Sequence, residues 1–164
     1  MAKIVRSVLT DIGLGPWPPF LKDRLFHLAL FSAIIVWIVL WFTVIPTFSA
    51  DQVSTLRLLL LTVIWYPVIE EILFRGIIQK FLIDTSWGSK SVAGLSIANW
   101  LASFLFVLAH FWYQPVGWAI VILAPSLVYG FFRDRYSSIY PCLVLHSFYN
   151  AGFVIINIMA FKLA

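Results

Sequence analysis

Apolar runs of bilayer length follow one another along almost the whole chain, and little is left over for a water-soluble fold. A hydrocarbon core of about 30 Å is crossed by about 20 mostly apolar residues in helical conformation. Five stretches meet that requirement, at about 25–45, 56–83, 92–112, 116–132 and 139–161. The first stops at Pro46, and the second is interrupted by charged residues. Hydrophobic residues make up 62% of the 164, and only 11% are charged. Soluble domains stay near 45–50% apolar, so polar surface is too scarce here to cover a globule in water. The expected fold is all-α, a polytopic transmembrane helix bundle of about five spans. It forms one membrane domain, about 25–161, behind a cytoplasmic N-terminal segment, 1–24.

Basic residues orient such a bundle, because Lys and Arg accumulate in cytoplasmic loops. Lys3, Arg6, Lys22, Arg24, Lys80, Lys90, Arg133 and Arg135 fall on one side, and Arg57 and Lys162 on the other. The expectation is a cytoplasmic N-terminus and an external C-terminus, which an odd number of spans also requires. Thr47-Phe48-Ser49 is a poor cleavage site and the first apolar run is too long for a signal peptide, so this run reads as a retained signal-anchor. The net charge of +4 is spread over short loops and forms no basic stripe with interleaved aromatics, which argues against nucleic-acid binding. A single cysteine, Cys142, excludes an internal disulfide framework and a cysteine-based zinc cluster.

The informative residues are those that hydrocarbon rejects. An ionisable group at mid-membrane costs about 2.5–3.5 kcal/mol on insertion scales and turns toward the bundle interior or a water cavity. The second span carries Glu70, Glu71 and Arg75, the third His110, and the fifth His146 and Asn150. So many polar groups in one small bundle predict that three helices converge on a shared hydrated pocket. Glu71 and Arg75 are four residues apart and can pair along one helix face. Glu70, rotated by about 100°, is free to point into the pocket. Pro67, one turn earlier, removes a backbone donor and can open the helix there. His146 and Asn150 share a face, as do Phe106 and His110. Each has a plainer reading: a buried ion pair for Glu71 and Arg75, an interhelical clamp for His146 and Asn150, a packed histidine for His110. Ser103, Ser126 and Ser147 read as helix-packing hydroxyls, and His27 as an interfacial residue. Cys142 lies four residues before His146, but a small buried thiol is the commoner reading than a nucleophile.

A carboxylate and an imidazole can hold a water molecule and take its proton. A second imidazole and a carboxamide can donate the two hydrogen bonds an oxyanion needs. Together they suffice for peptide-bond hydrolysis without a covalent intermediate. The three patterns are Glu70-Glu71-x-x-x-Arg75, Phe106-x-x-x-His110 and His146-x-x-x-Asn150. In this order on successive spans they resemble the CAAX-protease and bacteriocin-processing family of intramembrane peptidases. The resemblance covers about 56–160, which looks like the four-helix catalytic core of that family preceded by one extra span. It implies a glutamate peptidase in which Glu70 and His110 activate water and His146 with Asn150 stabilise the oxyanion; no cofactor or metal is expected, because the two imidazoles lie on different spans. Glu71 and Arg75 take a supporting, orienting role. The implied partners are the lipid bilayer and a membrane-bound protein or peptide substrate. Short forms of this type look bacterial, which implies an inner-membrane location, and some resemble peptidases paired with C-terminal sorting signals.

Three rival readings remain at this stage. Two histidines and a glutamate also make a plausible zinc set, although no His-Glu-x-x-His helix is present. Intramembrane acids and imidazoles also serve proton-coupled carriers, although no internal repeat of the transporter kind is found. A non-catalytic immunity or interaction protein could retain the same fold.

Overall fold

The computed structural model describes residues 2–43, 57 and 59–163. The expected end of the first span beyond residue 43, the start of the second at residue 56, and Thr47-Phe48-Ser49 lie outside the described residues. Helix α1 (Ala2–Asp11) leads to a 3-10 turn, Phe20–Lys22, and then to α2 (Arg24–Thr43). The continuous helix α3 runs through 60–83. A short antiparallel hairpin, β1 (Ser91–Val92) and β2 (Leu95–Ser96), separates it from α4 (Ile97–His110). Helices α5 (Val116–Val121), α6 (Leu123–Tyr136) and α7 (Tyr140–Leu163) complete the described chain.

Among the described residues, three segments are long and apolar enough to cross a membrane: Arg24–Phe42, Val116–Tyr136 and Tyr140–Met159. The other two expected spans differ for physical reasons. Helix α3 has the length, but it carries Glu70, Glu71, Arg75 and Lys80. Helix α4 has 14 residues, or about 21 Å at 1.5 Å per residue. Its expected start near residue 92 is overtaken by the hairpin. Ala93 and Gly94 adopt φ of 52° and 80°, the left-handed pair of a two-residue hairpin turn. Ser96 then caps α4, its hydroxyl accepting the Asn99 N–H at 2.9 Å. Between α5 and α6 the helix breaks because Pro125 has no N–H to give the Val121 carbonyl.

Around α3 the bundle turns polar side chains inward and apolar ones outward. On α3, Ile69, Leu73, Ile77 and Phe81 are exposed at every fourth position, while Glu71, Arg75 and Gln79 are fully buried. Helix α2 likewise exposes Phe31, Ile35, Ile38 and Phe42. Exposed apolar area on this scale is intolerable in water and normal against lipid. The protein is an integral membrane protein.

Apolar packing concentrates at one end. Phe20, Phe26, Tyr129, Phe132, Cys142 and Leu145 form a buried cluster from the 3-10 turn, α2, α6 and α7. Asp23 fastens the same end, accepting from Arg135 Nε at 2.7 Å, the Tyr136 hydroxyl at 2.8 Å and the Leu25 N–H at 2.9 Å. Burial pushes its carboxyl up, but those hydrogen bonds outweigh burial and hold it below the usual carboxylate range.

Candidate active site

Helix α3 changes its winding around the acids. It is π-wound over Leu60–Trp65, α-helical over Tyr66–Glu71 and π-wound again over Ile72–Gln79. In the first π segment the Tyr66 N–H reaches back five residues to the Leu61 carbonyl. The next donor in that pattern would come from Pro67, which has none, so the Thr62 carbonyl lacks that bond. Asn150 on α7 fills the gap, its Nδ2 donating to Thr62 O at 2.9 Å. One proline thereby attaches α7 to α3 next to the acidic pair. π-wound turns recur at functional sites because they rotate side chains out of ordinary register.

Glu70 and Glu71 both face His146. Glu71 Oε1 accepts from His146 Nδ1 at 2.8 Å, and Glu70 Oε2 lies 3.6 Å from Nε2. A carboxylate only accepts, so Nδ1 carries a proton and the ring is held with Nε2 toward Glu70. Tyr129 on α6 stacks on the same imidazole, with ring centroids 4.9 Å apart and planes inclined by 18°. The two acids are environmentally distinct: the Glu71 side chain is fully buried, whereas Glu70 keeps 22% of its side-chain exposure. Glu70 is therefore the acid that a water or peptide can reach.

Behind Glu71 lies a buried cationic centre. Arg75 Nε sits 3.4 Å from Glu71 Oε2 with both side chains fully buried, close enough to attract but off the hydrogen-bonding line. The rest of the guanidinium is well supplied. It donates to Ser126 Oγ at 2.6 Å, and to Ser103 Oγ and Gln79 Oε1 at 3.3 Å each. The Phe106 ring faces it at 5.7 Å. The Ser103 hydroxyl in turn donates a hydrogen bond to Asn99 Oδ1 at 3.0 Å. Thus Ser103 and Ser126 solvate the arginine, beyond packing helices together. Gln79, Asn99 and Tyr129 were not singled out from sequence at all. The spacing Arg75–Gln79 on α3 was the available signal, since a second buried polar side chain one turn on needs partners of its own.

His110 closes the far side. Its Nδ1 lies 2.8 Å from the Phe106 carbonyl oxygen, which can only accept, so Nε2 is left with its lone pair. Phe106 packs between the two imidazoles, 4.4 Å from His110 and 6.0 Å from His146. The Tyr113 ring, 5.1 Å from His110, stands in the loop after α4. Burial, with help from Glu70 and Tyr66, pushes its hydroxyl up to about 12, so it stays a neutral donor. Glu70, Glu71, Arg75 and His146 thus meet directly, His110 joins them through Phe106, and Asn150 grips the backbone one turn before the acids. Cys142 takes no part: it is fully buried and donates to the Tyr129 carbonyl at 3.1 Å. Among the described residues, no three His, Cys, Asp or Glu side chains group as a metal-ligand set.

A family model described as type II CAAX prenyl endopeptidase Rce1-like matches residues 52–152, which include all seven motif residues, Glu70, Glu71, Arg75, Phe106, His110, His146 and Asn150. No curated protein and no solved structure matches the chain significantly.

Proposed function

Because the chain belongs to the Rce1-like family of type II CAAX prenyl endopeptidases and is an intramembrane endopeptidase of that kind, we propose that it hydrolyses its substrate by the glutamate mechanism. The observation that carries this reading is the unequal pair of acids around one imidazole, Glu71 sealed at 2.8 Å and Glu70 open at 3.6 Å. Water binds between Glu70 and the free lone pair of His110 Nε2. Glu70 takes a proton from it, and the resulting hydroxide adds to the scissile carbonyl carbon. The oxyanion accepts hydrogen bonds from the second Nδ2–H of Asn150 and from His146 Nε2, which in this scheme holds a proton taken up from solvent before the water attacks and kept throughout, while Nδ1–H stays on Glu71. The C–N bond then breaks as Glu70 returns the proton to the departing nitrogen, leaving a carboxyl group and an amine. Glu71 and Arg75 orient His146 and do not react.

The substrate is a membrane-associated protein cut near its C-terminus or in an unwound segment. A peptide bond inside a stable helix is already hydrogen-bonded and sterically covered, so only an extended stretch can enter. We place the enzyme in a bacterial inner membrane with its N-terminus cytoplasmic and its C-terminus outside. Support comes from Arg135, which meets Asp23, and Arg133, which meets the Asp11 carbonyl, so these basic residues share one end with Lys22 and Arg24.

Single-turnover cleavage of a reconstituted peptide substrate tests the mechanism. Asn150→Ala is expected to lower turnover about 100- to 1000-fold with little change in substrate binding. Unchanged turnover in that variant would remove Asn150 from the oxyanion role. Activity is also expected to survive exhaustive chelation, and restoration by one added metal after chelation would replace the water-activation scheme by a metal-assisted one.

A further inference from the structure

Helix α1 was not expected from the sequence, and the bundle does not explain it. Every residue from Lys3 to Thr10 is exposed, so no face of the helix is buried in the bundle. Its residues are nonetheless sorted. At about 100° per residue, Ile4, Val5, Val8 and Leu9 fall in one arc, and Lys3, Arg6, Ser7 and Thr10 in the opposite one. A helix is sorted in this way when a boundary between apolar and aqueous media runs along it. The four apolar residues are 70%, 52%, 52% and 40% exposed in chain order, so the apolar medium is not the protein.

The attachment of α1 fixes where it sits. Arg133 Nη2 donates to the Asp11 carbonyl at 3.1 Å, while Arg133 Nε donates to the Arg75 carbonyl at 3.0 Å. The Gly13 carbonyl accepts the Ile139 N–H at 3.1 Å and the Ser138 hydroxyl at 3.2 Å. Gly76 allows the closest approach: a Cβ there would stand 2.9 Å from the Ile12 carbonyl oxygen. Helix α1 is therefore held where α6 ends and α7 begins, the end that carries Arg133, Arg135, Lys22 and Arg24. That end is cationic, and Lys3 and Arg6 add to it.

We propose that α1 lies in the headgroup layer of an anionic membrane surface, with Ile4, Val5, Val8 and Leu9 turned to the acyl chains and Lys3 and Arg6 to lipid phosphates. Helices of this composition bind in the interfacial plane through apolar burial and attraction to anionic lipid. The experiment uses the full chain in vesicles of phosphatidylglycerol with phosphatidylcholine, and in vesicles of phosphatidylcholine alone. Val8→Cys and Ser7→Cys are each labelled with an environment-sensitive fluorophore, Cys142 being fully buried. In anionic vesicles the Val8 label is expected to be blue-shifted and shielded from an aqueous quencher, and the Ser7 label to stay accessible. Lys3→Gln and Arg6→Gln should each lower the ratio of shielded to accessible label roughly fivefold, as expected for one basic residue at an anionic surface. Equal accessibility of the two labels overturns the proposal. Shielding that is as strong in neutral vesicles overturns the anionic-lipid assignment. Shielding that persists in detergent and grows with protein concentration assigns the face to a second copy of this chain instead. None of these results depends on peptidase activity.

Discussion

Glu70 and Glu71 are adjacent and chemically identical, yet they occupy different environments. Glu71 is sealed between Arg75 and His146, and Glu70 alone keeps a route to water. Glu70→Gln and His110→Ala are each expected to nearly abolish cleavage while leaving the protein folded, as checked by product analysis and thermal unfolding in detergent. Cys142→Ser should be silent, and lost activity there would revive a thiol nucleophile. Arg75→Met strands the Glu71 carboxylate in a dry site, so the expected effect is on stability, about 3–5 kcal/mol. Denaturant titration in mixed micelles reads it, and a loss under 1 kcal/mol would mean that Glu71 finds another partner. Tyr129→Leu removes the ring stacked on His146 and is expected to lower kcat more than KM. An effect confined to KM would place Tyr129 in substrate binding.

Helix α3 carries an argument that no single residue carries. Its first π-wound turn leaves the Thr62 carbonyl to Asn150 because Pro67 cannot donate. Pro67→Ala restores a backbone donor that competes with Asn150 for that oxygen. The expected outcome is a better-formed helix with a mispositioned carboxamide: higher thermal stability and lower turnover. If turnover is unchanged, Asn150 needs no anchor at Thr62. The Asp23 clamp between the start of α2 and the end of α6 gives a pH dependence. Its carboxyl is held below the ordinary aspartate value, so its contribution is fully present above that ordinary value and fades as pH falls through the lower folded one. Asp23→Asn should therefore lower the melting temperature at pH 7, and the difference from the unsubstituted protein should shrink toward pH 3. A difference that is constant with pH would trace the effect to shape rather than charge.

Across the whole molecule, a membrane bundle could be read from the sequence because composition alone names the solvent. The 62% apolar content has no other medium. The candidate site was legible for a related reason: hydrocarbon penalises Glu70, Glu71, Arg75, His110 and His146 so strongly that their presence implies a common interior. Helical spacing also marked Glu71 with Arg75 as a pair. Less was visible where the signal was weak or contextual. Residues 91–96 read as the start of a span because Val92, Ala93 and Leu95 look like membrane helix, while two positive φ angles turn them into a hairpin. Helix α1 escaped notice because ten residues fall below the length on which a spanning pattern is judged.

What the order of residues settled was the medium, the helical class and the need of Glu71 and Arg75 for partners inside the bundle, since each follows from local transfer free energies and a repeat of about 3.6 residues per turn. Which histidine nitrogen faces which carboxylate was decided only in three dimensions. So were the hydroxyls that receive Arg75 and the carbonyl that Asn150 holds. Those contacts join residues up to 88 positions apart, and hydrogen bonds act over about 3 Å, so nothing short of the packed bundle brings them into range.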